Sequence, residues 1–255
     1  WTQASACASS SMAIGQAFEA IRSGILDLAV VGGSDAMLTS GMLHAWARMR
    51  VMARTDADDA ALACKPFAQE RNGLCLAEGA ACLVLMSAQL KEAVKLEPLA
   101  WLQGFGHSCD AFDLTVPHAP GQAHAIRAAL LDGGIEAADV SYVCAHATGT
   151  RKGDITELDA LQMAWGNRVP DCPISSIKSV TGHTMGASGA LASVLTVVML
   201  HDDWIAPTRH MMTPDDAYKQ WNLPAESGIT DAGLNFALVN SFGFGGSNAC
   251  LVFKK

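Results

Sequence analysis

The 255-residue chain is 50% hydrophobic and only 16% charged, a composition that supports a sizeable buried core and excludes disorder over most of its length. Seventeen Lys and Arg against 25 Asp and Glu give a formal net charge of −8, with no run of consecutive basic residues, so nothing favours nucleic acid or an anionic membrane, and an acidic partner must be met by a local basic patch. Eight cysteines, at 7, 64, 75, 82, 109, 144, 172 and 250, lack zinc-knuckle or redox-pair spacing, so no metal is expected and the thiols read as reduced, in a cytoplasmic protein.

Taken in chain order, the hydrophobic pattern predicts a helix over Met12–Ser23 and a buried strand over Leu26–Gly33. A polar loop follows at Thr55–Asp59, then a strand over Ala80–Met86. The charged stretch Gln89–Pro98 reads as a connection between two halves. Beyond it come a strand at Leu99–Phe105, a helix at Gln122–Asp132, a strand at Val140–Ala145 and helices at Ile155–Trp165 and Gly189–Asp202, with strands at Phe236–Val239 and Ala249–Phe253 closing the order. This alternation predicts a layered α/β protein. The most apolar stretch, Ala190–Leu200, is interrupted by Ser193 and Thr196 and falls short of the ~20 residues a bilayer span needs, so it reads as a core helix. The chain opens on Trp1 without a basic segment leading into an apolar one, and no secretory leader is read.

Chemistry concentrates in four segments. Cys7 sits in a run of small residues, Ala4-Ser5-Ala6-Cys7-Ala8-Ser9, directly before a helix; the positive helix end is expected to lower the thiol's pKa, and the small neighbours leave room for a substrate. A lone cysteine is more often buried apolar filling. Two histidines strengthen the case. His146 closes a strand-like run and opens Ala147-Thr148-Gly149-Thr150, after which Asp154 is expected to cap a helix; His183 lies in Thr181-Gly182-His183-Thr184, before the apolar helix. The other six histidines, His44, His107, His118, His124, His201 and His210, lack such surroundings and read as structural. The fourth segment, Ser241-Phe242-Gly243-Phe244-Gly245-Gly246-Ser247-Asn248, permits a tight turn with exposed backbone N–H groups, and by itself fits a plain hairpin equally well.

In this order, with His146 139 residues after Cys7 and His183 37 residues after His146, the four segments resemble the β-ketoacyl synthase family of condensing enzymes. The resemblance implies an αβαβα thiolase-like fold. Residues 1–88 would end the N-terminal half and carry the nucleophile, and residues 99–255 would form the C-terminal half with both histidines. It also implies a further N-terminal half-domain before the nucleophile, without which an apolar surface would stand uncovered and the chain alone would aggregate or be inactive. Histidine at both positions implies decarboxylative elongation in fatty acid, polyketide or polyene biosynthesis.

By the same resemblance Cys7 carries the acyl group, the backbone N–H groups of Cys7 and Phe244 form the oxyanion hole, His146 and His183 stabilise an enolate, and Lys178 and Glu157 support the histidines. Thr148, Thr150 and Thr115 match positions that bond the pantetheine arm. Phe244 and the loop Asp110–Pro117 match two gates, and Trp46 falls where the acyl pocket is lined, although an ordinary core tryptophan fits as well. Arg50, with Arg48 and Arg54 nearby, matches a position docking the acyl carrier protein; a solvated arginine face is the plainer reading. No bound cofactor is implied, phosphopantetheine arriving with the carrier, and the family pairs as homodimers or heterodimers. The chain departs from the family at Ala147, at Arg71-Asn72-Gly73-Leu74 and at Asp113, which bears on gating and acyl preference. Two other classes compete: a Cys-His acyl hydrolase, which needs one histidine with an orienting Asn or Asp, and a synthase-like subunit serving mainly as a heterodimer partner.

Overall fold

A computed structural model describes residues 1–54 and 57–255; of the loop expected at Thr55–Asp59, residues 55–56 lie outside the described residues, while 57–59 open a 3-10 helix, Ala57–Leu62. The chain begins with α1 (Ser9–Arg22), β1 (Leu28–Asp35) and α2 (Ser40–Arg48), then β2 (Gly79–Met86) and α3 (Ala88–Val94). It continues through β3 (Trp101–Cys109), α4 (Ala119–Gly133), β4 (Val140–Cys144), α5 (Arg151–Ala164), β5 (Ile174–Ser175), α6 (Lys178–Thr181) and α7 (Ser188–Asp202). Last come the short pair β6 (Trp204–Ile205) and β7 (Ile229–Thr230), and the hairpin β8 (Phe236–Phe242) and β9 (Ser247–Lys254).

The strands β3-β9-β8-β4-β5 form a mixed sheet in that spatial order, in which β4 runs parallel to β5 and β8, while β9 is antiparallel to both neighbours. Helices α4 and α5 cover one face, where Ile126, Leu130, Leu158 and Leu161 meet Val143, Leu238 and Val252. Helices α1 and α7 cover the other, where Ile14, Val197 and Leu200 meet Val239 and Leu251, and on them rests the antiparallel ribbon β1–β2. Sheet, helix pair, sheet and helix pair are thus stacked as four layers, the expected α/β arrangement. Close approach makes this possible at Gly106 of β3: a Cβ there would lie 2.2 Å from the backbone of Ala129 on α4.

Three expectations need correction. The stretch Gln89–Pro98 is not a bare connection, because Ser87 caps α3 by accepting from the Leu90 N–H and Lys95 closes it in a left-handed conformation. Helix α2 was missed although Thr39 caps it by accepting from the Met42 N–H and Met42 and Trp46 stand one turn apart; it spans only nine residues, none fully buried. The first helix starts at Ser9, three residues early, since serines were read as loop. Helix α7 is apolar and, extended to Met185–Asp202, long enough to cross a bilayer by composition, but 61% of that window is buried within the fold, as the core-helix reading requires. It stops at Asp203, left-handed with φ 55°, whose carboxylate accepts the N–H groups of Gly233 and Leu234.

Candidate active site

Cys7 stands just before α1, packed against Leu74 and Met185. Ala6 beside it is held at φ 49°, a conformation costly for a residue with a Cβ, and the turn is tied by Ser5 N–H donating to Ser9 Oγ (2.8 Å) and Ala8 N–H to Ser5 O (3.1 Å). Gly243 presses onto it from the β8–β9 turn; a Cβ there would sit 2.9 Å from Ser5 O. That turn is the hairpin the glycines allowed, with Gly245 and Gly246 at φ 80° and 77°. It also brings the backbone N–H of Phe244, together with that of Cys7, to the Cys7 sulfur. Both readings of the glycine-rich segment therefore hold at once.

His183 Nε2 lies 3.2 Å from Cys7 Sγ, and the His146 and His183 rings meet edge-on, with centroids 5.3 Å apart at 84°. One donor atom from each of Cys7, His146 and His183 falls within 4.8 Å of the others. The backbone of each histidine is fixed from a different part of the chain. His146 follows β4, where its N–H and that of Ala147 donate to the two oxygens of Glu157 on α5 (2.8 and 2.7 Å). Asn240 on β8 donates a third hydrogen bond to Glu157 (3.0 Å), and Ser176 Oγ donates to Ala147 O (2.7 Å). His183 N–H donates to Cys75 O at 2.7 Å, and its own carbonyl accepts from Ala77 N–H.

The electrostatics correct one expectation. Burial pushes the Cys7 thiol up to about 11, outweighing the buried Lys178 cation and the N–H groups of Phe244 and Cys7, which act the other way. The anticipated low pKa is not met because Cys7 precedes the helix proper and lies in a dry site. Burial holds both histidines well below 6.5, reinforced by Lys178, so the two imidazoles are neutral near neutral pH. Lys178 is only 2% exposed and its own pKa is lowered by burial, against the opposing pull of Cys144 and Glu157. Asp154 does not cap α5, since Thr150 does. It is instead buried, accepting from Phe67 N–H (2.9 Å) and Gly149 N–H (3.1 Å) and facing Arg71 at 3.4 Å, which fixes the loop after His146.

A cavity of about 270 Å³ opens onto Cys7 and both histidines. Trp46, Phe244, Thr115, Thr148 and Thr150 line it, and Trp46 stacks on Phe244 with centroids 5.9 Å apart. Thr148 and Thr150 join through their hydroxyls (3.2 Å). The loop Asp110–Pro117 is organised by Asp113, which accepts from the N–H groups of Thr115 and Val116, and it is tied to the glycine turn by Gly245 N–H donating to Leu114 O (2.7 Å). Arg48, Arg50 and Arg54 are exposed and do not line the cavity. Asn240, Asp154 and Asn248, which donates to Asp110 Oδ1 (2.7 Å), were missed as positioning groups; a polar Asn240 within the apolar Leu238–Val239 strand was the available signal.

A buried thiol beside two neutral imidazoles, with backbone donors at the sulfur, thus sits on a layered α/β frame of the thiolase-like class. The models of the β-ketoacyl synthase N-terminal and C-terminal domains match residues 1–91 and 99–212, and the chain belongs to the β-ketoacyl synthase family. It is 36% identical over 252 residues to the 3-oxoacyl-[acyl-carrier-protein] synthase 2 of Staphylococcus aureus (strain COL), covering 98% of this chain and 60% of that protein, and equally to that of Synechocystis sp.. Among solved structures, a β-ketoacyl synthase from Burkholderia phymatum STM815 superposes with a TM-score of 0.92 at 35% identity, covering 99% of this chain and 60% of that one. The ketosynthase of a type II polyketide synthase, in complex with its acyl-carrier protein, gives 0.94 at 28% identity, covering 98% and 61%. The fold is thiolase-like, and the chain spans about 60% of the length of these relatives.

Proposed function

We propose that this chain carries the condensing site of a β-ketoacyl-[acyl-carrier-protein] synthase, acting in fatty acid, polyketide or polyene biosynthesis. The observation that carries the reading is the Cys7 sulfur 3.2 Å from a neutral His183, with His146 beside it and two backbone N–H groups at the sulfur. In the first half-reaction Cys7 attacks the thioester carbonyl of an acyl-carrier, the N–H groups of Cys7 and Phe244 hold the oxyanion, and the carrier thiol leaves with the proton. In the second, a malonyl-carrier loses CO₂, and N–H donors of His146 and His183 stabilise the enolate oxygen. The enolate carbon attacks the acyl-Cys7 carbonyl, giving a β-ketoacyl thioester and freeing the thiolate. Neutral imidazoles suit this role, since each offers one donor without adding charge to a buried site.

Thr148 and Thr150, with Thr115, offer hydroxyls to the pantetheine arm, and Trp46 bounds the acyl chain. The reaction as written uses no resident cofactor or metal. Carrier docking is assigned to Arg50, with Arg48 and Arg54, on an exposed surface that offsets the net negative charge locally. Pairing with a second synthase-like chain, cytoplasmic residence and a division at residues 1–88 and 99–255 belong to the same reading. A hydrolase is disfavoured by one feature: among the described residues neither His146 Nδ1 nor His183 Nδ1 has the Asn or Asp partner that orients a hydrolytic imidazole. A purely structural subunit has no use for a thiol paired with His183. The test is CO₂ release from malonyl-carrier: acceleration by an acyl-carrier primer supports the proposal, and release of free acid from the primer supports the hydrolase.

A further inference from the structure

The trio that serves condensation is also a ligand set. Cys7, His146 and His183 are buried, and they present one sulfur and two ring nitrogens within 4.8 Å of one another, with Cys7 Sγ and His183 Nε2 already at 3.2 Å. In a tetrahedral Cys-His-His zinc site, bonds of roughly 2.3 Å to sulfur and 2.0–2.1 Å to nitrogen place the ligand atoms roughly 3.3–3.6 Å apart. Reaching that spacing requires the trio, now within 4.8 Å, to close on the ion, and the edge-on imidazoles keep the two rings from stacking against each other. Among the described residues neither buried Nδ1 has a partner, so no competing hydrogen bond fixes the tautomer of either ring. The fourth position opens into the cavity. We infer that a thiophilic divalent cation of the zinc type binds the Cys7–His146–His183 trio and reversibly shuts the nucleophile off from acyl thioesters.

The binding step balances as Cys7–SH plus M²⁺ giving Cys7–S–M⁺ and one proton released to solvent, because a metal-bound thiol is deprotonated outright. The Lys178 charge at Cys7 opposes the added cation and the Asp35 charge favours it.

The inference needs only the site geometry and stands apart from which acyl reaction the chain performs, which activity of metal-free protein tests separately. Reduced chain titrated with Co²⁺ should take up one ion per chain with a thiolate-to-cobalt charge-transfer band that Zn²⁺ displaces. In the unsubstituted protein, one equivalent of Zn²⁺ should slow iodoacetamide labelling of Cys7 at least about tenfold, and a chelator should restore it. Cys7→Ser and His183→Gln should each lose the band, while Cys75→Ser, which breaks the neighbouring Cys64–Cys75 thiol pair, should keep it. A band that survives Cys7→Ser, one that disappears with Cys75→Ser, or labelling of Cys7 unaffected by Zn²⁺ would overturn the inference.

Discussion

At the scale of single residues the site turns on the protonation of three groups. With its pKa pushed up to about 11, Cys7 is a thiol at neutral pH, so its alkylation by iodoacetamide should climb about tenfold per pH unit up to that region; a rate already level by about pH 7 would show a preformed thiolate. His146 and His183 have folded pKa values below 6.5, so on acidification the unfolded chain takes up protons that the folded site refuses. Stability contributed by these groups is therefore present above 6.5 and lost as pH falls below it; the melting temperature should drop in acid, and His183→Gln should flatten that slope. Substituting either histidine by Ala should lower malonyl decarboxylation by about 10²–10³, with Cys7 acylation less affected in at least one variant. The residue types and order of this trio were legible in the sequence. The raised thiol pKa was not, because it comes from burial by Leu74, Met185 and the β8–β9 turn, segments far from Cys7 in the chain.

At the scale of elements, β4, α5 and β8 hold His146 through Glu157, which collects N–H groups from His146 and Ala147 and the amide of Asn240. Asn240→Leu should leave a buried carboxylate one donor short, costing about 1–3 kcal/mol in urea unfolding. It should also reduce decarboxylation more than Cys7 acylation, whereas equal losses would mean a purely structural role. The pattern of apolar residues announced β4 and the β8–β9 hairpin as short apolar runs and α5 as a helical pattern. It did not announce the role of Asp154, whose partners Phe67 and Arg71 lie more than eighty residues earlier and become neighbours only in the fold. Helix α2 escaped because it is only nine residues long and none of its residues is fully buried.

At the scale of the molecule, the ribbon β1–β2 packs Val31, Leu83 and Leu85 inward but leaves Val30 and Val84, a directly opposed pair, 69% and 57% exposed. Beside it an apolar groove runs past Phe18, Trp101, Val194 and Val198. Exposed apolar faces on strands with open edges drive association, so the 255-residue chain alone should self-associate, and Val30→Glu with Val84→Glu should shift light-scattering mass toward the monomer. A monodisperse monomer without these changes would contradict the uncovered-surface expectation. The central claim is that Cys7 accepts an acyl group and gives it up to a malonyl-derived carbon. Intact-mass spectrometry after exposure to acyl-carrier, then malonyl-carrier, tests it most directly. One acyl adduct on Cys7 is predicted, stable to water, removed by malonyl-carrier with formation of a β-ketoacyl-carrier, and missing in Cys7→Ala; an adduct of equal yield in Cys7→Ala, or one that water discharges without malonyl-carrier, would contradict the account.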